Sequence, residues 1–479
     1  MMTPLDALGS PAVYDASHLR ILEQRFAAAH SDQSLMDRAG AAVAELAGSL
    51  ARDTGEPILI LAGPGNNGGD ALIAASRLQA HGFRVVVTGR PQPGLARTDA
   101  SPSDAPHAWA DWLARGGVLL DRIPHPQRFS LVIDGLFGIG LRRDVTGVEA
   151  GWIEQANGLG CPRLAVDIPS GLDSDSGRVR GCAFRAHYTL TFLGLKPGLL
   201  TADGPDHAGL ILLDTLDIDP ALRPATPGMA LTQLAGRHIL PPRKRNSHKG
   251  TFGHVAIIGG DPGMVGACLI AGRAALEHGA GSVTLGALDA RIVVDYGEPR
   301  LMFSSPERVL TQSMQTLAVG PGLGHSARAY TLLESALAIA CPLVLDADAL
   351  TLLADHTDLV EGVAGRRSPT LLTPHPGEAA RLLNRTVGDI QAGRIEAALA
   401  LSQNFNAHVA LKGAGTVIAH PDGRYVINTS GGPWLAQAGS GDRLTGMVAA
   451  LLGQGLDAGD ALEAAVWLHG APSLGSQTA

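Results

Sequence analysis

The amino-acid sequence predicts an α/β fold, and two observations lead to this prediction. Short apolar runs alternate with helical patterns through both halves of the chain, which is typical of mostly parallel sheets covered by helices on both faces. Hydrophobic residues at 45%, charged residues at 17% and 61 glycines are typical of a globular protein with many loops. Because 479 residues are too many for one ordinary core, we expect two domains.

The first half begins with amphipathic segments at residues 17–29 and 34–50, which predict helices, and a further helix is predicted to open at Ala71. Apolar runs bounded by turn residues predict five strands, at residues 58–61, 84–87, 131–133, 163–166 and 188–192. Residues 217–227 contain three prolines and few apolar side chains, which indicates a linker. We therefore expect domains at residues 1–216 and 228–479.

The second half repeats this alternation. Strands are predicted at residues 254–258, 282–285, 317–319, 343–345 and 408–411. Helices are predicted at residues 266–278 and 327–340 and from Leu444 onward. The strands end in glycine-rich or charged loops, which is where open α/β sheets bind ligands. Because the halves share no clear sequence repeat, we expect two separate sites with different chemistry.

Charge and composition disfavour several classes of partner. A formal net charge of -8 and an aromatic content of 4% argue against a nucleic acid or an anionic membrane. No apolar stretch reaches the roughly 18 residues that a spanning helix needs. The cysteines form no Cys-x-x-Cys pair and are expected to be buried thiols; they are Cys161, Cys182, Cys268 and Cys341. We expect a cytoplasmic homo-oligomer that acts on a small molecule.

The most informative segment of the first half is the glycine-rich turn at residues 63–70, Gly-Pro-Gly-Asn-Asn-Gly-Gly-Asp. Such a turn between a buried strand and a helix presents backbone N–H groups to a phosphate. Its Gly-x-Gly-x-x-Gly spacing alone is a weak signal. Asp70 would place a negative charge near a pyrophosphate, so we expect a nucleotide-like ligand held differently from an ordinary dinucleotide.

Two carboxylates, Asp134 and Asp167, directly follow predicted strands. At one edge of a parallel sheet they could share a cation or perform acid/base chemistry. The alternative is that each carboxylate only caps the turn or helix that follows it.

The motifs at residues 66–70, 134–140 and 167–171, taken in order, resemble the NAD(P)H-hydrate epimerase family over residues 15–215. The resemblance implies a Rossmann-like doubly wound domain in which Asp167 contacts the hydrated nicotinamide nucleotide near C6 and interconverts its R and S forms. It implies that the substrate is also lined by Asn66, Asn67, Gly68, Gly69, Asp70, Gly138, Ile139, Gly140, Leu141, Arg142, Arg143 and Asp144. It implies a potassium ion (K+) held by Asn67, Asp134 and Ser170. A related domain also occurs in scaffold proteins without epimerase activity, which is the alternative.

In the second half, residues 438–442 read Ala-Gly-Ser-Gly-Asp and precede a helix. Glycines at a helix N-terminus let backbone N–H groups surround a phosphoryl group, while Asp442 could accept a hydroxyl proton. Taken alone, the motif could also be a capped helix start. Lys412, after a predicted strand, could meet a nucleotide phosphate as a point charge. No Walker loop is present, so a P-loop enzyme is excluded.

Together with segments at residues 247–250, 320–324, 373–378 and 411–416, this motif resembles the ribokinase-like NAD(P)H-hydrate dehydratase family over residues 228–472. The resemblance implies that a nucleotide, ADP with Mg2+ in bacterial two-domain members, phosphorylates the C6 hydroxyl and that phosphate then leaves. Implied substrate contacts are Ala267, Gly322, His375 and Asp442. Implied nucleotide contacts are Lys412, Gly413, Ala414, Gly415, Thr416 and Gly441.

The sequence thus predicts a Rossmann-like doubly wound domain followed by a ribokinase-like α/β domain. Through the two resemblances, it predicts a bifunctional enzyme that repairs hydrated NADH and NADPH (NADHX and NADPHX). The alternatives are a ribokinase-type kinase of a vitamin precursor alcohol with an N-terminal binding domain, and a scaffold with two inactive domains.

Overall fold

A computed structural model describes residues 2–30, 33–51, 55–90, 105–125, 128–240 and 242–471. The chain divides into two compact units, Met1–Thr226 and Pro227–Ala479. This division falls within residues 217–227, where the sequence indicates a linker. Largely parallel sheets with interleaved helices confirm the predicted α/β class for both units.

The sheet of the first unit has the order β1-β9-β8-β7-β6-β3-β4-β5, and its pairs are parallel except for β1 against β9. Its strands are β1 (Thr3–Pro4), β3 (Ile58–Ala62), β4 (Val85–Gly89), β5 (Leu119–Leu120), β6 (Leu131–Gly135), β7 (Arg163–Val166), β8 (Tyr188–Phe192) and β9 (Leu210–Asp214), and the short strand β2 (Ala12–Val13) is not part of this sheet. The helices are α1 (Ala16–Ala29), α2 (Leu35–Leu50), α3 (Asn66–Ala80), α4 (Ala105–Ala114), α5 (Gly147–Asn157), α6 (Pro197–Leu200) and α7 (Gly204–Ala208).

The strand order places a topological switch point between β3 and β6. From β3 the chain proceeds outward to β4 and β5, whereas from β6 it proceeds to β7, β8 and β9 on the other side. Loops that leave the carboxyl ends of two such neighbouring strands separate and open a crevice, where open α/β sheets bind ligands.

Both faces of this sheet are buried, as β3 shows. Ile58 and Ile60 belong to one core cluster with Leu72 of α3. Leu59 and Leu61 belong to a second cluster with Trp152 of α5. Because helices cover both faces, β3 is a continuous apolar run rather than an alternating one.

The start of α3 packs so closely on the strand ends that it requires glycine. A Cβ on Gly68 would lie 1.8 Å from the carbonyl oxygen of Gly63. A Cβ on Gly63 would in turn lie 1.7 Å from the carbonyl oxygen of Leu136. The prediction that this helix opens at Ala71 is wrong, because it begins at Asn66. The adjacent glycines that suggested a turn instead allow the first helical turn to pack against neighbouring backbone.

The described strands of the second unit have the order β13-β12-β11-β14-β15-β16-β17-β18-β19-β10. They are β10 (Gly228–Leu231), β11 (His254–Gly259), β12 (Ser282–Ala287), β13 (Met302–Ser304), β14 (Thr316–Val319), β15 (Leu343–Leu345), β16 (Thr370–Leu372), β17 (His408–Leu411), β18 (Val417–Ala419) and β19 (Tyr425–Asn428). The helices are α8 (Gln233–Ile239), α9 (Val265–Glu277), α10 (Pro306–Val309), α11 (Ala327–Leu337), α12 (Asp348–Asp355), α13 (Thr357–Ala364), α14 (Pro376–Leu382), α15 (Val387–Ala392), α16 (Arg394–Phe405), α17 (Ser440–Gly453) and α18 (Ala458–Gly470).

This sheet is parallel from β13 to β17, whereas β18 is antiparallel to both of its neighbours. A second switch point lies between β11 and β14. The helix predicted from Leu444 begins earlier, at Ser440, because Gly439 adopts a φ of 83° and turns the chain into α17. A further helix, α18, follows it.

We expect Gly68→Ala to lower the free energy of unfolding by about 1–3 kcal/mol, because the new methyl group forces α3 away from backbone atoms. Gly151→Ala is the matched control, because a Cβ at this position in α5 meets nothing within 4 Å. It should raise stability by up to about 1 kcal/mol through helix propensity. Urea unfolding measures both changes, and equal stability of the two variants would contradict the close-packing argument.

Candidate functional site

In the first unit, three residues predicted to bind a cation lie together. The backbone N–H of Ser170 donates to Asp134 Oδ2 at 2.8 Å, and the Ser170 hydroxyl donates to Asp134 Oδ1 at 2.7 Å. Asn67 Nδ2 donates to the carbonyl oxygen of Phe137 at 3.0 Å, and Ser170 Oγ lies 3.2 Å from the same oxygen. The loops after β3, β6 and β7 therefore meet at the switch point.

This cluster is buried and rich in oxygen atoms. Asp134 and Ser170 have no exposed surface, and Asn67 is nearly buried. Burial raises the pKa of Asp134 to about 6, although hydrogen bonds from Ser170 act in the opposite direction. A carboxylate, a hydroxyl, an amide oxygen and a backbone carbonyl are the ligand types that hard cations bind in proteins.

Asp167 is held in an unusual backbone conformation. Its φ of 64° lies in the left-handed region, which is costly for a residue with a Cβ and is common at functional sites. The backbone N–H of Phe192 donates to Asp167 Oδ1 at 3.1 Å. The carboxylate is thereby fixed at the end of β8, next to the end of its own strand.

Sequence reasoning missed the residue that pairs with Asp167. Lys196 follows β8, is 1% exposed, and forms an ion pair with Asp167 Oδ1. Its Nζ also donates to Thr191 Oγ1 at 2.9 Å and to the carbonyl oxygen of Phe192 at 2.8 Å. The sequence could have indicated Lys196 by its position in a loop after a predicted strand. The same criterion, a charged residue that follows a predicted strand, selected Asp134 and Asp167.

The remaining predicted residues of this unit differ in their surroundings. At the start of α3, the predicted substrate-binding residues Gly68, Gly69 and Asp70 are buried, whereas Asn66 is exposed. Gly138 lies against Asn67, since a Cβ there would be 3.4 Å from Asn67 Cβ. Ile139 and Leu141 pack against the two core clusters. Gly140, Arg142, Arg143 and Asp144 are exposed.

In the second unit, Lys412 is held by a buried carboxylate that sequence reasoning also missed. Lys412 Nζ lies 2.8 Å from Asp346 Oδ1, and the Thr445 hydroxyl donates to Asp346 Oδ2 at 2.6 Å. Asp346 directly follows β15, so its strand-end position was again the available signal. Charge and hydrogen bonds from Lys412, then Thr445, lower its pKa despite the opposing effect of burial.

Two further carboxyl groups beside Lys412 hold protons more tightly than usual. Burial first and the charge of Asp346 next raise the pKa of Asp442 to about 6. Burial also raises the pKa of Glu378 to about 7, and its Oε2 lies 4.0 Å from Lys412 Nζ. Asp442 is in the first turn of α17, where its carboxyl group adjoins a helix N-terminus.

His375 caps α14 and is not free to shuttle protons. The backbone N–H of Gly377 donates to His375 Nδ1 at 2.9 Å, and Glu378 Oε2 accepts from the backbone N–H of His375 at 2.7 Å. Partial burial and then Lys412 lower the pKa of the imidazole. The ring is exposed and fixed in orientation, which suits a ligand contact.

Arg394 contacts the start of the loop from Lys412 to Thr416. The sequence analysis did not indicate this residue. Arg394 is 3% exposed, and its Nη2 donates to the carbonyl oxygen of Leu411 at 3.1 Å. A Cβ on Gly413, whose φ is 144°, would lie 2.8 Å from Arg394 Nη1. On the other side, a Cβ on Gly441 would lie 3.2 Å from Lys412 Nζ. Gly413 and Gly441 therefore allow the close approach of Arg394 and of the Lys412 ammonium, respectively, and Gly441 at the start of α17 lies against Lys412.

Ala267 and Gly322 both adjoin Met264. The backbone N–H of Ala267 donates to the Met264 carbonyl oxygen at 3.2 Å, and a Cβ on Gly322 would lie 2.4 Å from the same oxygen. This segment follows β11 and β14, the strands at the second switch point.

A groove of about 1390 Å³ lies along the other face of α17. Its lining includes Ser440, Arg443, His469 and the exposed Trp434, but neither Asp442 nor Lys412. The glycine-rich start of α17 therefore borders both the charged cluster around Lys412 and this groove.

Three further observations concern the part of the chain that the structure describes. No group of three His, Cys, Asp or Glu side chains there is arranged to hold a metal ion. None of its helices has the length and apolar character needed to cross a membrane. The four cysteines are free, but Cys182 is only partly buried, so the expectation of burial holds for the other three.

The arrangement defines a two-unit α/β protein with buried carboxyl, hydroxyl and amide groups clustered at the strand ends of one unit and a lysine–carboxylate cluster beside glycine-rich loops in the other. Residues 32–198 match the family model described as YjeF-related protein N-terminus. Residues 255–477 match the model described as NAD(P)H-hydrate dehydratase.

The chain is similar along most of its length to bifunctional NAD(P)H-hydrate repair enzymes. Identity is 34% with the enzyme of Thermofilum pendens, over 95% of this chain and 90% of the relative. It is 37% with that of Escherichia coli, over 91% and 84%, respectively. A solved structure similar to part of this chain is an ADP/ATP-dependent NAD(P)H-hydrate dehydratase from Bacillus subtilis, co-crystallised with ATP and Mg2+. The two sequences are 31% identical over 50% of this chain and 87% of that chain, and the TM-score is 0.44.

The chain belongs to the family of bifunctional NAD(P)H-hydrate repair enzymes. The predicted combination of an epimerase with a dehydratase is thereby confirmed, and neither the vitamin-precursor kinase nor the inactive scaffold is favoured.

We expect Lys412→Met to destabilise the second unit by about 3–5 kcal/mol, because Asp346 would remain buried without its ammonium partner. Adding Asp346→Asn should recover part of this loss, since a neutral amide costs less to bury than a carboxylate. Urea unfolding of the single and double variants gives the coupling between the two residues. A double variant at least as unstable as Lys412→Met would contradict the pairing.

Proposed function

We propose that the first unit interconverts the R and S forms of hydrated NADH and NADPH, with Asp167 as an acid/base group near C6. The Asp167 carboxylate, which the backbone N–H of Phe192 fixes at the end of β8, is the observation that supports this role. The substrate's phosphates would meet the N–H groups of the first turn of α3. Gly138 and Asn67 would form the adjoining wall.

The oxygen-rich cluster of this unit would hold K+ through Asn67, Asp134 and Ser170. Its donor set fits a cation because the buried Asp134 carboxyl group, the Ser170 hydroxyl and the Phe137 carbonyl oxygen adjoin one another, and the Asn67 amide reaches the same carbonyl oxygen. A bound cation would fix the loops after β6 and β7 and so keep Asp167 in position.

In the second unit, Asp442 would take the proton of the C6 hydroxyl as its oxygen attacks the terminal phosphorus of ADP. AMP leaves, and phosphate then departs from C6 while a proton is lost from C5, which restores the dihydronicotinamide ring. Lys412 and the N-terminus of α17 would stabilise the charge on the transferring group. The close approach of Gly441, at the start of α17, to Lys412 Nζ supports this assignment.

The same geometry would accommodate Mg2+ with the nucleotide. Both oxygens of Asp346 already accept hydrogen bonds, from Lys412 and Thr445, and Glu378 Oε2 accepts one from the backbone N–H of His375, so Glu378 Oε1 is the oxygen better placed to bind the ion or its water. Mg2+ commonly uses one or two carboxylates together with substrate phosphates. The ion would neutralise charge on the transferring phosphoryl group.

We also infer a cytoplasmic homo-oligomer. Free cysteines are typical of a reducing compartment, and the exposed Trp434 beside a large groove offers apolar surface to a second copy. Light scattering coupled to size-exclusion chromatography measures the oligomeric state.

We expect Asp167→Asn and Asp442→Asn to separate the two activities. With a mixture of R and S hydrates, ADP and Mg2+, Asp167→Asn should recover dihydronicotinamide absorbance only from the S fraction. Asp442→Asn should recover none but still epimerise, because its first unit is intact. Each loss should be about 100-fold or more, the usual contribution of a general acid or base. Loss of both activities in either variant would contradict separate sites.

We expect replacement of K+ by the bulky choline cation to lower the epimerisation rate and to leave dehydration of the purified S form unchanged. Ser170→Ala should weaken the dependence on K+ by removing one oxygen ligand, and Ser174→Ala is the control in the same loop region. Epimerisation rates at varied K+ concentration test this. Equal rates in K+ and choline would argue against a cation site in the first unit.

A further inference from the structure

A hydrogen bond joins the first residue of α17 to a histidine near the end of α18. Ser440 Oγ lies 3.1 Å from His469 Nε2. Gly439, the residue before α17, has no side chain that could cap the helix. The helix start that carries Asp442 is therefore tied through Ser440 to another helix rather than by a local cap.

The end of α18 is a fixed support for His469. Trp467 is 2% exposed and belongs to the core of the second unit. The Ser430 hydroxyl, in the loop after β19, donates to the carbonyl oxygen of Trp467 at 2.9 Å. A Cβ on Gly470 would lie 2.3 Å from the same hydroxyl oxygen, so the helix end packs directly on this loop. These contacts, on the residues before and near His469, hold its imidazole in place.

A second side-chain bond holds the same part of α17. The Thr445 hydroxyl donates to Asp346 Oδ2 at 2.6 Å and lies 3.3 Å from the carbonyl oxygen of Gly441. Asp442 lies between Ser440 and Thr445 in the sequence. The start of α17 is therefore fixed at two positions that flank Asp442, and loss of the bond at Ser440 would leave the first residues of the helix held only by Thr445.

The imidazole of His469 is uncharged near neutral pH. Burial first and the charge of Arg443 next lower its pKa to about 4, and Lys412 and His278 act in the same direction. A neutral imidazole can still accept or donate one hydrogen bond at Nε2, so it can pair with the Ser440 hydroxyl without adding charge beside Lys412. Such a group is suited to hold a neighbour in place rather than to exchange protons at neutral pH.

We propose that His469 is a positioning residue of the dehydratase site, which acts through Ser440 to hold the first turn of α17 in the geometry needed for phosphoryl transfer. This inference rests on the function proposed for the second unit. Asp442, in the same turn, must lie within hydrogen-bonding reach of the C6 hydroxyl to accept its proton. A displacement of about 1 Å can lower the rate of such a step by about 100-fold.

The test compares four variants of the full-length protein, His469→Leu, His469→Gln, Ser440→Ala and the double variant with His469→Leu and Ser440→Ala. Asp460→Asn is the control, because Asp460 is an exposed residue of the same helix, α18. Dehydration of the purified S form with ADP and Mg2+ is followed near neutral pH, and kcat and the KM for ADP are measured for each variant.

His469→Leu should lower kcat about 10- to 100-fold with little change in the KM for ADP, because the loop from Lys412 to Thr416 is unaltered. His469→Gln should restore most of the rate, since its side-chain amide can reach the position of Nε2. In the Ser440→Ala background, His469→Leu should cause no further loss, because the bond is already absent. Asp460→Asn should match wild type.

The outcomes separate this inference from the function on which it rests. Failure of wild type to restore dihydronicotinamide absorbance with either ADP or ATP would overturn the proposed function of the second unit. Wild-type dehydration with an unchanged kcat in His469→Leu would overturn the role of His469 alone. Equal losses in His469→Gln and His469→Leu, or a further loss in the double variant, would also overturn it, because both patterns report altered packing of α18.

Discussion

A lysine bonded to a carboxylate at the carboxyl end of the sheet, with one partner of each pair almost fully buried, is the interaction on which each site depends. Lys196 is bonded to Asp167 in the first unit, and Lys412 is bonded to Asp346 in the second. In the second unit another carboxyl group, Asp442, lies nearby, and burial raises its pKa to about 6. A fixed charged pair beside a carboxyl group that holds its proton more tightly than usual suits acid/base chemistry.

Topology and glycine place these charges where a nucleotide can reach them. The switch points between β3 and β6 and between β11 and β14 open a crevice in each unit. Glycines at 63 and 68 let α3 approach the strand ends, and Gly439 turns the chain into α17. The close approach of these helix starts to the strand ends would present backbone N–H groups to a phosphate. The same close approach limits which residues can stand at the glycine positions.

Much of this organisation could be predicted from the sequence because strand ends are local signals. Asp134 and Asp167 each follow an apolar run, and the structure places both at the predicted edge. Lys196 and Asp346 also follow strands, but neither belongs to a glycine-rich motif. Their contacts were therefore found only in the structure. Asp346 bonds to Lys412, 66 residues away, and such non-local pairing leaves no periodic pattern in the sequence. The starts of α3 and α17 were misplaced because adjacent glycines usually indicate turns, whereas here they permit close helix packing.

We propose that hydrated cofactor and nucleotide bind at the carboxyl ends of the two sheets, against these lysine–carboxylate pairs. A crystal structure of the protein with NADPH hydrate, K+, Mg2+ and a non-transferable ADP analogue would test this proposal. We expect a nicotinamide ring within hydrogen-bonding distance of Asp167, and the terminal phosphate of the analogue between Lys412 and the N-terminus of α17. Ligands bound only elsewhere, such as in the groove beside Trp434, would contradict it.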